Sequence, residues 1–261
     1  MVGTAQVQGK LWGAAARDWA ELGEPVQRPF FEAALDALGI TTGTRLLDAG
    51  CGAGLALVLA TERGATATGL DASAGLLEIA RERLPEADLR EGDLEALPYA
   101  DDAFDAVTAF NSIQYAGDPT AALREIARVA KPGAPIAITT WGPPEQCEMR
   151  AVLGAIGSLL PPPPPGAVGP FALAAPGALE ALVESAGLIA ERAIEVPTPY
   201  AHDDLDTAVR AHLASGPARR AIETAGLEAT RKVVTAACEQ ASQPDGSVRH
   251  DNVFKVLVAR A

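Results

Sequence analysis

The chain has 261 residues, and its 34 acidic side chains outnumber its 21 lysines and arginines, which gives a formal net charge of −13. A field of this sign repels polyanions, so we expect neither nucleic acid nor an anionic membrane surface as a partner. The length suits one α/β domain with a hydrophobic core of its own.

The cysteine pattern and the first ten residues indicate the cellular compartment of the protein. Cys51, Cys147 and Cys238 are odd in number, widely spaced, and free of any C-x-x-C or paired Cys/His spacing. This pattern predicts neither a disulfide framework nor a metal site, and it is typical of a reducing compartment. Residues 1–10 are polar, with no apolar signal-peptide core, so we expect a cytoplasmic protein.

Two helical patterns, at residues 10–22 and 26–38, precede the first apolar strand and are separated by a Gly-Glu-Pro turn. We expect both helices to cover the ligand edge of a sheet. Residues 1–40 are therefore predicted to form an N-terminal helical cap, and residues 41–261 the main domain.

Between residues 44 and 141, short apolar runs alternate with helical patterns, which is typical of βαβ units and a mostly parallel sheet. Strands are predicted at 45–49, 65–70, 87–91, 103–109 and 135–140. Helices are predicted at 55–63, 73–84 and 120–129.

The C-terminal half is predicted to complete the same sheet. Its elements are a helix at 147–160, a polyproline spacer at 161–165, a helix at 178–186, and strands at 188–196 and 252–259. A helical insertion at about 203–241 separates the last two strands. The predicted fold is α/β, with a Rossmann-like, seven-stranded, mostly parallel sheet.

The most informative segment is residues 46–54, LLDAGCGAG, a strand that ends in a glycine turn and enters a helix. Glycines let a ligand approach the main chain closely because no Cβ intervenes. The G-x-x-x-x-G-K-[ST] phosphate loop is absent, and Leu55 stands where a dinucleotide fingerprint has its third glycine or alanine. The G-x-G-x-G turn with a leading acid differs from both patterns.

This segment resembles the class I S-adenosylmethionine methyltransferases, in particular the group that includes the ubiquinone and menaquinone biosynthesis enzymes. The resemblance extends over about residues 45–141. It implies S-adenosylmethionine as the cofactor and S-adenosylhomocysteine as its product. It also implies that Asp48, Gly50, Gly52 and Gly54 hold the methionine end, whose ammonium group favours a carboxylate partner.

Acidic motifs also close the second and third strands. Asp71 ends the second strand, where its carboxylate can accept hydrogen bonds from two ribose hydroxyls. The resemblance implies that Asp93 accepts from the adenine amino group, that Leu94 packs on the ring, and that the fourth-strand motif lies beside the reactive methyl group. The expected cofactor-binding set is Asp48, Gly50, Cys51, Gly52, Gly54, Asp71, Ala72, Gly92, Asp93, Leu94, Phe110, Asn111 and Gln114, with Trp19 from the N-terminal helix.

Each acid taken alone also fits a structural role. Asp48 and Asp71 could be helix-capping residues and Asp93 a turn residue. Their occurrence at three successive strand ends favours the cofactor site.

Methyl transfer from a sulfonium mainly requires alignment of the acceptor and exclusion of water. A general base helps if the acceptor is a hydroxyl or an acidic carbon, and His202, His212 and His250 are the histidines of the chain. We expect His202, at the mouth of the insertion, to take this role; a solvent-exposed loop histidine is the alternative. The expected partner is a small-molecule acceptor, for example one of secondary metabolism, and the expected state is a monomer or homodimer.

Other functions fit the same motifs. An enzyme of this fold could bind the cofactor and perform non-methylation chemistry, and a non-catalytic S-adenosylmethionine-binding module could act as a sensor. A nicotinamide-dependent oxidoreductase is disfavoured by the glycine spacing and by the lack of a Tyr-x-x-x-Lys pair.

Overall fold

The computed structural model describes residues 4–162 and 169–261. Most of the predicted polyproline spacer, residues 163–165, lies outside the described residues. The strands are β1 (Arg45–Ala49), β2 (Thr66–Asp71), β3 (Asp88–Glu91), β4 (Ala106–Phe110), β5 (Pro135–Trp141), β6 (Ile189–Pro197), β7 (Tyr200–His202), β8 (Val248–His250) and β9 (Val253–Arg260). The α-helices are α1 (Ala5–Gly13), α2 (Ala16–Asp18), α3 (Arg28–Ala37), α4 (Leu55–Glu62), α5 (Ala74–Arg83), α6 (Pro119–Val129), α7 (Met149–Gly157), α8 (Ala178–Ser185), α9 (Leu205–Leu213), α10 (Gly216–Ala225) and α11 (Leu227–Glu239).

The central sheet has seven strands in the order β3-β2-β1-β4-β5-β9-β6. Strands β1 to β5 pair in parallel, and β9 runs antiparallel to both of its neighbours. The predicted Rossmann-like, mostly parallel α/β fold is therefore confirmed. Consecutive side chains of β1 serve opposite faces of the sheet: Leu46 packs in one core cluster with Leu57, and Leu47 in the other with Leu123.

The predicted N-terminal helix at 10–22 is wrong in its bounds, because α1 begins at Ala5 and the helix breaks after Gly13. Close packing explains the glycines of α1. A Cβ at Gly9 would lie 2.0 Å from the carbonyl oxygen of Ala72, in the loop that follows β2. Helix α1 thus lies directly on the carboxyl end of β2, and only a glycine permits so close an approach.

The chain after α2 forms a single π-helical turn over Trp19–Gly23. A Cβ at Gly23 would meet the Trp19 ring at 2.5 Å, so the indole folds back over that glycine. The division into a cap of residues 1–40 and a main domain stays a prediction.

Helices α9 to α11 lie between β7 and β8, which pair with each other as a separate two-stranded antiparallel ribbon. We call these three helices and the ribbon the C-terminal cap. The ribbon was not predicted, because strands of three residues carry too little alternation to be read from sequence. In the described parts of the chain, no helix is both long and apolar enough to cross a bilayer.

Candidate active site

A cavity opens at the carboxyl ends of β1, β2 and β4, where α1, α7 and the C-terminal cap enclose it. Such strand ends are the usual ligand position in open α/β sheets. We call it the strand-end cavity. The predicted residues that line it are Trp19, Asp48, Gly50, Cys51, Gly52, Asp71, Ala72, Gly92, Asp93, Leu94, Phe110, Asn111, Gln114 and His202.

Gly54 is the one member of the predicted cofactor set that does not line the cavity. It precedes α4 with a φ of +85°, and a Cβ there would meet the Ala80 side chain at 3.1 Å. This glycine therefore permits close packing of the start of α4 on α5. It does so without reaching the cavity.

The glycine turn after β1 is held by main-chain hydrogen bonds and left open toward the cavity. The backbone N–H groups of Gly50 and Cys51 both donate to the carbonyl of Leu70, at 2.7 and 3.0 Å. Gly50 and Gly52 have positive φ angles of +91° and +55°. A Cβ at Gly52 would have only the Glu24 carboxylate within 4 Å, at 3.6 Å, so this position faces open space.

Asp71 ties the end of β2 to that turn. Its carboxylate accepts the backbone N–H of Gly52 and that of Ser73, each at 2.8 Å. Ser73 itself caps α5 by accepting from the backbone of Leu76, so Asp71 is not the capping residue. Burial raises the pKa of the Asp71 carboxyl, against the effect of its backbone donors.

Asp48 is buried inside β1 and is not a helix cap. The Thr108 hydroxyl donates to its carboxylate at 2.9 Å. Burial is the main cause that raises the pKa of Asp48 to about 8; the Thr108 hydrogen bond opposes it, and the charges of Asp71 and Glu24 add to it. Among the described residues, no lysine or arginine forms an ion pair with Asp48 or Asp71.

An ion pair between Glu24, which is buried in the cavity wall, and Arg83, which is half-buried, supports the glycine turn, and sequence reasoning missed it. Glu24 accepts the backbone N–H of Leu55 at the start of α4, at 3.3 Å. Arg83 donates to the carbonyls of Ala53 and Ala20, each at 2.8 Å. The pair joins segments that are 59 residues apart, and neither residue stands in a motif that would have revealed it.

The third and fourth strand ends complete this side of the cavity. Asp93 accepts the backbone N–H of Glu95 at 3.0 Å, so it does make the turn contact that the structural alternative predicted, while also lining the cavity. Asn111 has a φ of +50°, and its Oδ1 is buried and has no hydrogen-bond partner in the described parts of the chain; the same is true of Oε1 of Gln114. Both side chains line the cavity and can still bind a ligand.

The other side of the cavity is apolar. Helix α7 contributes most of this wall, and an aromatic pair, Trp141 and Tyr200, lies beside it. The α7 residues are Met149, Val152, Leu153 and Ile156. Trp12 packs edge-on against both Trp19 and Tyr115 at the α1 side, with ring centroids at 4.7 and 5.6 Å. Of these residues, only Trp19 belongs to the set predicted from the sequence.

The three histidines of the chain differ in whether they line the cavity. His202 and His212 line the cavity, whereas His250 lies behind them. His202 is 7% exposed, which contradicts the alternative of a solvent-exposed loop histidine. Burial, and then the nearby His250, lower the pKa of His202, which favours its neutral form.

Comparison with known proteins agrees with this site. Residues 47–138 match the family model described as a methyltransferase domain. The chain is 36% identical over 118 residues to the demethylmenaquinone methyltransferase of Renibacterium salmoninarum, which covers 45% of this chain and 50% of that protein. It is 33% identical over 156 residues to the ubiquinone biosynthesis O-methyltransferase of Alkalilimnicola ehrlichii, which covers 56% and 63%.

Among solved structures, the [4+2]-cyclase SpnF matches with a TM-score of 0.57 and 23% identity, over 88% of this chain and 80% of that one. At this identity the likeness shows the fold alone. The matches to the curated relatives span about half to two thirds of those proteins' length. Residues 47–138 are therefore a methyltransferase domain similar to those of S-adenosylmethionine-dependent methyltransferases.

The described residues fit S-adenosylmethionine as the cofactor. Among the described residues, no cationic side chain neutralises Asp48, which is buried, or Asp71, which is half-buried, and the cofactor carries both an ammonium and a sulfonium charge. The open face of Gly52 admits a ligand against the main chain, and Asn111 Oδ1 and Gln114 Oε1 offer two free acceptors.

Proposed function

We propose that the chain transfers the methyl group of S-adenosylmethionine to a small, largely apolar acceptor. One observation carries the proposal: a single cavity joins the acidic strand ends to the apolar wall of α7 and the C-terminal cap. A cavity with these two halves suits a polar cofactor on one side and an apolar acceptor on the other.

On the cofactor side, we assign the amino end of the methionine moiety to Asp48 and place the rest of that moiety against the open face of Gly52. Asp71 is assigned to the ribose, since its fixed position beside Gly52 directs it into the cavity. Asp93 and Leu94 are assigned to the adenine, and Phe110, Asn111 and Gln114 to the region of the reactive methyl group.

When bound, S-adenosylmethionine supplies an activated methyl group, so the chain mainly has to position the acceptor and exclude water. Trp141, Tyr200 and Met149 are placed to orient an apolar acceptor. His202 is our proposed proton acceptor, because it is buried in the cavity wall and its Nε2 lacks a hydrogen-bond partner among the described residues.

An acceptor of this kind agrees with the charge of the chain. The net charge of −13 and the acidic cavity disfavour polyanionic substrates such as nucleic acids. The comparisons support small-molecule chemistry through the names of relatives that act in quinone biosynthesis. We place the activity in the cytoplasm and in a monomer or homodimer.

Two alternatives keep the same cofactor site. The likeness to a [4+2]-cyclase is a likeness of fold, so it leaves non-methylation chemistry as a second candidate. A non-catalytic S-adenosylmethionine-binding module is the third. The apolar wall, which a pure sensor of the cofactor does not need, favours an enzyme.

The test is transfer of labelled methyl from S-adenosylmethionine to a panel of phenols, quinols and apolar carboxylic acids, with single-stranded RNA as a negative control. We expect label in at least one apolar acceptor, and slower transfer with Asp71→Ala at the same protein concentration and a sub-saturating concentration of the cofactor. Cofactor binding without transfer to any acceptor would favour the sensor. Acceptor conversion without label would favour the other chemistry.

A matched pair of variants tests the acceptor side. Met149→Ala enlarges the cavity at its α7 wall, whereas Leu227→Ala shortens an exposed leucine of the C-terminal cap. We expect Met149→Ala to raise the KM for the acceptor with unchanged affinity for the cofactor, and Leu227→Ala to change neither. An equal effect of both variants would remove α7 from the acceptor site.

A further inference from the structure

The fold brings together a buried cluster that no local motif predicts. His212 from α9, Cys238 from α11 and His250 from β8 have ligand atoms that all lie within 4.8 Å of one another. We call these three residues the His-Cys-His cluster. All three are buried, and Cys238 is fully so. The sequence predicts no metal site, because Cys238 lies 26 positions after His212 and 12 positions before His250. The fold of the C-terminal cap brings the three side chains together.

The cluster has polar atoms that the protein itself does not satisfy. Within the described residues, His212 Nε2 and both ring nitrogens of His250 are buried without a hydrogen-bond partner. An imidazole buried without partners loses the hydrogen bonds that water would give it, which is unfavourable for folding. Three such nitrogens beside a buried thiol therefore point to a ligand that accepts lone pairs.

From this geometry we infer that the His-Cys-His cluster binds a zinc ion. Two imidazoles and a thiolate form a soft, nitrogen- and sulfur-rich ligand set, which suits Zn²⁺ and not Mg²⁺ or Ca²⁺. Zinc bonds of about 2.0–2.3 Å place tetrahedral ligand atoms about 3.5 Å apart. A contraction of about 1 Å by side-chain rotation would close the cluster on the ion.

The surroundings favour a cation and leave a fourth position. The carboxylate of Glu148 lies near His250, because it accepts the backbone N–H of the next residue, Asp251, at 2.7 Å. His202 packs edge-on against His212, with ring centroids 5.7 Å apart, and its Nε2 is also without a partner. The fourth ligand is therefore a water molecule at the wall of the strand-end cavity, which leaves His202 free for the role proposed above.

Binding needs no redox partner. The two imidazoles donate their lone pairs in the neutral form, and the thiol of Cys238 loses its proton to solvent as the Zn–S bond forms. The ion would join α9, α11 and β8 of the C-terminal cap, and α9 itself lines the strand-end cavity. Zinc would thus stabilise the cap, whatever reaction occurs beneath it.

The test uses the full, untagged chain after treatment with a chelator. Zn²⁺ is titrated in competition with a chromophoric chelator, and Co²⁺ is added separately as a spectroscopic probe. Cys238→Ser removes the proposed sulfur ligand. Cys147→Ser is the matched control, because Cys147 is equally buried but donates its thiol to the carbonyl of Val253 at 3.3 Å.

We expect one Zn²⁺ per chain with a sub-micromolar dissociation constant, a rise in Tm, and a thiolate-to-cobalt charge-transfer band. Cys238→Ser should weaken Zn²⁺ binding at least tenfold and abolish the band, whereas Cys147→Ser should retain both. If Cys238→Ser does not fold, His250→Gln should lower the Zn²⁺ affinity and shift the cobalt d–d spectrum. Failure of the wild-type chain to bind Zn²⁺, or a band that survives in Cys238→Ser, would overturn the proposal.

Discussion

The Asp71 carboxylate accepts the backbone N–H of Gly52 at 2.8 Å, which fastens the end of β2 to the glycine turn that follows β1. Its other oxygen accepts the N–H of Ser73 at the same distance. These two bonds fix the carboxylate at the wall of the strand-end cavity before any ligand arrives. Because the Asp71 carboxylate is already fixed, it loses little conformational entropy when the cofactor binds.

Replacement of Asp71 by alanine should weaken binding of S-adenosylmethionine by about 1–3 kcal/mol, the usual loss for a charge-assisted hydrogen bond. Calorimetric titration measures this difference. Asp36→Ala is the control, because Asp36 pairs with Arg63 at the surface, away from the cavity. Unchanged affinity in Asp71→Ala would refute the ribose assignment.

Valine at position 52 should abolish cofactor binding and leave the fold intact. Gly52 has a φ of +55°, so a side chain adds backbone strain of about 1–2 kcal/mol as well as bulk in the cavity. Gly133→Val controls for the strain alone, since Gly133 has a φ of +76° and nothing within 4 Å of its Cβ position. Both variants should lose similar stability in urea, and only Gly52→Val should lose binding. Loss of the circular dichroism signal in Gly52→Val alone would remove this interpretation.

Asp48 makes the ligand-free protein less stable as the pH rises. Its pKa is raised from 3.8 to about 8 in the folded chain, so between these values the folded state holds a proton that the unfolded state has released. Stability is then fully present below about pH 4 and falls as the pH rises through about 8. Glu24 and Asp71, whose pKa values are also raised, act in the same direction.

Asp48→Asn removes this one contribution. Urea denaturation of the ligand-free chain across that pH window should show a shallower fall in the free energy of unfolding for Asp48→Asn than for wild type. Parallel curves for the two proteins would show that Asp48 is ionised in the folded state throughout.

The substitution Gly9→Ala tests how closely α1 packs on the loop that follows β2. Alanine is favoured over glycine inside a helix by about 1 kcal/mol. At Gly154 of α7, where nothing lies within 4 Å of the Cβ position, we expect that gain in stability. At Gly9 we expect a loss instead, together with faster cofactor dissociation, because the Cβ would lie 2.0 Å from the Ala72 carbonyl. Equal stabilisation of both variants in urea would contradict the packing of α1.

The sheet could be predicted because its signals are local. Strand β1 and the glycine turn carry their pattern in nine consecutive residues, and β1 was predicted with the bounds that the structure has, Arg45–Ala49. The strand-end acids follow from the same pattern, since the carboxyl ends of parallel strands meet at one edge.

What was missed depends on contacts between distant residues. Neither the Glu24–Arg83 ion pair nor the His-Cys-His cluster has a spacing that marks it in the sequence. The break in the N-terminal helix arises from the close approach of Gly9 and Gly13 to the loop after β2, which is a tertiary constraint that helical periodicity does not contain.

Binding of S-adenosylmethionine in the strand-end cavity is the property on which the proposed function depends most directly. The decisive measurement is a calorimetric titration of S-adenosylmethionine and S-adenosylhomocysteine into the purified chain, with NADH as the control ligand. We predict that both sulfur ligands bind with micromolar dissociation constants and that NADH does not bind. Absence of binding by both would mean that the glycine turn and its buried acids are structural features of the sheet edge and not a cofactor site.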